Sequence, residues 1–159
     1  MAEEGPGCID DLDGIPDDTL LYRRIPWDMI GGRARVAPGE IAQLSGNCFR
    51  DYSKEKAQAM EYPGPCMSVA VGTVLAERRI APEALLEQYP GYGLAVVEVG
   101  ALRELTTGSG LSCPQGIMLG PTELEPWHGV VFDKTQRLRS DKACKAIKTA
   151  AEWQVPLVG

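Results

Sequence analysis

Apolar and polar positions alternate through "TLLYRRIPW": Leu20, Tyr22 and Arg24 fall on one side of an extended chain, Leu21, Arg23 and Ile25 on the other, until Pro26 halts the pattern. This is the first expected strand. "LAVVEVGALREL" is apolar almost throughout, as a central strand would be, and "HGVVFD" reads as a further strand. "CMSVAVGTVL" admits two readings. Met67, Val69 and Val71 alternate with Ser68, Ala70 and Gly72, and the valines, Thr73 and the glycine favour a strand, yet the run also continues as a helix through "AERR".

Helical spacing is clearest near the end. From Ser140 as cap, Ala143, Cys144, Ile147, Ala150 and Ala151 share one face while Lys142, Lys145, Lys148 and Glu152 share the other, which predicts an amphipathic helix packed on a sheet, with Trp153 covering its end. "APEALLEQYPGYG", with Pro82 at its first position, predicts a short helix, and "PGEIAQLSGN" a helical turn between Pro38 and Gly46. "SKEKAQAM" reads as a helix capped by Ser53 or as a loop, and "TTGSGLSCPQGIMLGPTE" as a loop long enough to be functional. Together these elements predict a single α+β (or α/β) domain with a three- to four-stranded sheet and the C-terminal helix lying on it.

Composition adds bounds. A chain of 159 residues, 44% hydrophobic and 24% charged, has the size and content of one soluble domain with its own core. No apolar run approaches the roughly 20 residues that span a bilayer, and the acidic start is unlike a signal peptide, so a cytoplasmic protein without membrane contact is expected. The five cysteines are odd in number and widely spaced, which points to reduced thiols.

The net charge of −6 is unevenly spread. Residues 1–18 carry seven acids and no base, whereas residues 134–148 carry six bases against Asp141 alone. We therefore divide the chain into an acidic arm, 1–18, and a globular domain, 19–159. Nucleic acid is not an expected partner of so acidic a chain; the basic helix face suits a protein partner with an acidic surface.

Candidate chemistry is sparse. His128, the one histidine, reads first as a wall residue, set by Trp127 and a Gly129 turn at the rim of the sheet. No local ligand pair, phosphate-cradling loop or dinucleotide fingerprint occurs, so no metal or cofactor is assigned.

The order of "PCMSVAVGTVLAERR" and "WHGVVFD" resembles that of papain-like and NlpC/P60 cysteine hydrolases, in which the nucleophile opens a helix and the histidine opens a strand. The resemblance implies Cys66 as nucleophile, His128 as base and Asp133 as orienter. It requires Cys66 to begin a helix, whose dipole would stabilise the thiolate. "LYRRI" resembles the opening strand of ADP-ribosyltransferase-type domains, which implies Arg23 or Arg24 as a dinucleotide contact, with Ser68 and Glu98 completing the set.

The leading expectation is different in kind: a small partner-binding protein, an accessory subunit or an inhibitor or immunity-type module. It would present Trp27 and Trp127 on loops together with Lys142, Lys145 and Lys148 on the last helix.

Overall fold

The computed structural model describes residues 14–51, 65–135 and 138–159. The stretch "SKEKAQAM" and residues 1–13 of the acidic arm lie outside them. The last residues assigned to the arm belong to the fold: Ile15 is buried in the core, Asp17 pairs with Arg103, and the Asp17 carbonyl accepts the Gly100 N–H.

Six antiparallel strands form one sheet: β1 (Leu20–Ile25), β2 (Cys66–Val71), β3 (Gly93–Glu98), β4 (Gln115–Leu119), β5 (His128–Asp133) and β6 (Glu152–Val155), in the order β4-β5-β2-β1-β3-β6. The fold is α+β, and the sheet is larger than the three to four strands expected. β4 hides inside the turn-rich segment taken for a loop, and β6 follows the helix taken for the last element. Both additions lie at sheet edges and are short, so neither carries the long apolar run that marks a central strand.

The ambiguity at "CMSVAVGTVL" resolves into both alternatives in turn. β2 runs to Val71, and α1 (Gly72–Glu77) starts at the next residue. Gly72 permits this abrupt change, because a Cβ there would lie 2.6 Å from the Leu20 carbonyl oxygen. β3 passes into α2 (Val99–Arg103) in the same way. Pro82–Leu86 is a 3-10 turn rather than an α-helix, and Gly46–Phe49 forms a 3-10 turn where "PGEIAQLSGN" was expected to end one.

α3 (Asp141–Ala150) is the amphipathic helix anticipated. The Ser140 hydroxyl accepts the Ala143 N–H at 3.1 Å, and Ala143, Cys144 and Ile147 are buried, although Ala150 is exposed. Ile147 packs with Leu21, Ile25, Val69, Val71, Ala95, Val97 and Val131 in the main core on one face of the sheet. The opposite face carries Tyr22, Ala70 and Leu94 beneath Leu75 of α1 and Leu85 of the 3-10 turn. Among the described residues no helix is long and apolar enough to cross a membrane.

One pairing in this sheet is weak. β1 and β3 match at six positions, from Leu20↔Glu98 to Ile25↔Gly93, whereas β1 and β2 match only at Leu21↔Val71 and Tyr22↔Ala70. Beyond Tyr22 the two strands part, and the sheet splits where Arg23 and Arg24, still paired with β3, have no partner in the β1–β2 ladder.

Candidate functional site

The split opens onto a cavity of about 490 Å³. Alternation along β1 sends the two arginines to different sides of the sheet. Arg23 shares the face of Leu21 and Ile25; its Nε donates to the Cys48 carbonyl at 2.6 Å and its Nη1 to the Ser68 carbonyl at 2.7 Å, so it fills the space where the β1–β2 ladder would have continued. Arg24 shares the face of Tyr22. Continuing the observed register would set it across from Ser68.

Ser68 and His128 meet on that second face. Ser68 pairs with Val130 and His128 with Ala70, a diagonal relation that brings Ser68 Oγ to 2.6 Å from His128 Nε2. The other ring nitrogen, Nδ1, lies 2.7 Å from the Gly120 carbonyl oxygen. A carbonyl can only accept, so Nδ1 carries a proton; in the neutral ring Nε2 then accepts from the Ser68 hydroxyl. The arrangement is a serine hydroxyl poised on an imidazole whose tautomer is fixed by the main chain.

His128 as a whole is 6% exposed. Gly129, expected to form a turn, lies within β5, where a Cβ would come 2.7 Å from Val71 Cγ2. The lack of a side chain lets Val71 pack across the strand directly after His128.

Arg24 is held by three groups. Its Nε donates to the Leu85 carbonyl at 2.9 Å, its Nη2 lies 2.8 Å from Glu125 Oε2, and its guanidinium carbon sits 4.0 Å from the centre of the Tyr89 ring. Tyr89 and Tyr92 form a tilted pair with ring centres 5.2 Å apart, and Trp127 completes an aromatic wall. Burial, aided by the Glu83 carboxylate, pushes the Tyr22 phenol up, so it stays protonated as a donor. The cavity thus combines a fixed cation, several flat rings and a hydroxyl–imidazole pair.

The cysteine hydrolase set is not brought together. Cys66 lies on a strand rather than opening a helix, is fully buried and pairs with Phe132. Four strand positions separate Phe132 from His128, roughly 13 Å at the rise of an extended chain. Burial, with a contribution from the Asp51 carboxylate, pushes the Cys66 thiol up to about 12, the reverse of what a nucleophile needs. Asp133 is five positions from His128 and faces the other way; it accepts from Gln115 Nε2 and from Thr135 instead.

Of the transferase set, Arg24 and Ser68 share the cavity, whereas Glu98 is exposed at the end of β3. The carboxylate that lines the cavity is Glu125. Sequence reasoning missed the Ser68–His128 contact because it depends on which strands are neighbours. The signal that could have found it was the placement of both residues in strands with outward polar side chains.

The partner-binding residues are dispersed. Trp27 packs against the main core and Trp127 against the second, while Lys142, Lys145 and Lys148 are exposed on α3. Among the described residues, no group of three or more His, Cys, Asp and Glu side chains could hold a metal ion. Comparison with protein-family models, with curated proteins and with solved structures finds no match for this chain.

Proposed function

We propose that the split in the sheet is a site for a nicotinamide dinucleotide and that the protein acts on its ADP-ribosyl group, as the resemblance at "LYRRI" implies. The observation that carries this reading is the convergence of Arg24, Ser68 and His128 on one aromatic-walled cavity. Guanidinium groups suit phosphate, and tyrosine and tryptophan faces suit the flat bases of such a ligand.

The chemistry requires a base. The glycosidic bond between ribose C1′ and the nicotinamide nitrogen breaks with its electron pair moving to that nitrogen, which discharges the positive charge of the ring. An acceptor oxygen, from water or another hydroxyl, bonds to C1′ and passes its proton to Ser68 Oγ as the Ser68 proton moves to His128 Nε2. The imidazolium so formed keeps its Nδ1–H on the Gly120 carbonyl. His128 here completes the set in place of the glutamate that the resemblance implied.

Titration of the protein with nicotinamide dinucleotide tests the reading, since a ligand that binds the folded state alone raises the melting temperature. A rise with millimolar ligand that Arg24→Ala removes supports it. No rise at that concentration rejects it.

The partner-binding reading keeps one favourable observation, the exposure of Lys142, Lys145 and Lys148 along α3. A complex held by that face would be lost when all three are reversed to glutamate.

A further inference from the structure

The cavity at the split adjoins a second one of about 670 Å³, and Arg24, Tyr89, Glu125 and Trp127 line both. The wall between the two chambers is therefore the Arg24–Glu125 ion pair with the Tyr89 ring beneath it. We infer that this wall is the seat of the ligand's pyrophosphate, and that Glu125 is a built-in stand-in for that anion which leaves Arg24 when the ligand binds. The inference rests on the dinucleotide reading and extends it to the substrate's length: one half occupies the chamber containing Ser68 and His128, the other the chamber beyond.

Three features support displacement. Arg24 and Glu125 side chains are 23% and 28% exposed, so the pair is reachable from solvent and separable without opening the core. Arg24 would stay in place after separation, because the Leu85 carbonyl and the Tyr89 ring still hold it.

The backbone at Glu125 is anchored independently of its carboxylate. Its N–H donates to Thr122 Oγ1 at 2.9 Å, and its carbonyl accepts the Thr122 and His128 N–H groups at 3.2 and 2.9 Å. The side chain can swing away while the loop keeps its shape. That loop, 120–128, also supplies the Gly120 carbonyl that fixes His128. Anion recognition and proton transfer thus share one short segment.

A carboxylate already on Arg24 competes with the incoming anion. Glu125→Gln removes its charge and should tighten binding of both nicotinamide dinucleotide and inorganic pyrophosphate by about tenfold, one charge-assisted contact no longer surrendered. Calorimetric titration of the wild-type chain and the variant reads this directly. Tighter binding by the variant, including binding seen in the variant alone, supports the inference.

Equal or weaker binding by a variant whose wild-type parent binds the dinucleotide overturns it and leaves the dinucleotide reading standing. Binding by neither overturns both. Ala84→Phe, which narrows only the second chamber, gives an independent measure. It should weaken the dinucleotide by about tenfold and leave pyrophosphate unchanged, and equal affinity for the dinucleotide would exclude the second chamber.

Discussion

Ser68 Oγ and His128 Nε2 stand 2.6 Å apart although sixty residues separate them in the chain. The contact exists because β2 and β5 are neighbours in the sheet, and it makes the histidine one half of a hydrogen-bonded hydroxyl–imidazole pair. Replacing Ser68 with alanine leaves a buried ring nitrogen without its partner. The expected loss of stability is about 1–3 kcal/mol, measurable by urea denaturation. On the dinucleotide reading, nicotinamide release should fall by about 10²-fold or more while the ligand-induced rise in melting temperature persists.

Cys66 gives a test of opposite sign. Its thiol, pushed up from 9.0 to about 12 chiefly by burial, stays protonated in the folded protein at pH 5–9. Iodoacetamide should modify it only after denaturant is added, and rapid alkylation of the native chain at neutral pH would contradict the burial described. Because the folded value lies above the unfolded one, the contribution of this group is fully present below pH 9 and is lost as the pH rises toward 12. The difference in stability between the wild-type chain and Cys66→Ala should therefore begin to change only above pH 9.

Arg139 is buried with Asp51, and both side chains have no exposed surface. The arginine also donates to Gln115 Oε1 at 2.8 Å and to the Phe49 and Val131 carbonyls at 3.1 Å, so it ties the segment before α3 to β4, β5 and the 3-10 turn. Removing one partner strands the other charge. Arg139→Met and Asp51→Leu should each cost about 3–5 kcal/mol, and the double variant less than the sum of the two.

The Asp51 carboxyl is itself raised by burial, against the lowering effect of Arg139. Its sign is that of a group protonated more readily in the folded state: its contribution is present at low pH and diminishes as the pH rises through the folded value. Asp51→Asn should therefore flatten the fall in stability between the ordinary carboxylate value of 3.8 and the raised folded one. A steeper fall than in the wild-type chain would refute the assignment.

Reversal of Lys142, Lys145 and Lys148 to glutamate should change the unfolding free energy by no more than about 0.5 kcal/mol per site, as exposed sites generally do. It should also leave dinucleotide binding unaltered, because none of the three lines either chamber. Loss of a copurifying partner in that variant would establish the α3 face as a second working surface.

What could be read from the sequence depended on how local each signal was. Alternation in "TLLYRRIPW" marked β1, the short apolar run in "HGVVFD" marked β5, and Ser140 with the apolar spacing behind it marked α3, since each depends on neighbours a few positions away. The joins at Val71/Gly72 and Glu98/Val99 were invisible because strand passes into helix with no intervening loop. β6 was missed because "EWQV" is four residues long and only half-buried. The site was the least legible part. Its residues come from β1, β2, the turn after α1 and the 120–128 loop, and only the strand order β5-β2-β1 brings them together.

The two-residue match between β1 and β2 also marks the narrowest seam of the sheet. β4-β5, β5-β2 and β1-β3 are paired over five or six positions each and β3-β6 over three, so the sheet reads as two three-stranded halves joined at Leu21 and Tyr22. Arg23, reaching across to the Ser68 carbonyl, bridges the halves beyond that seam. The proposed ligand cavity and the shortest strand pairing thus lie along the same line.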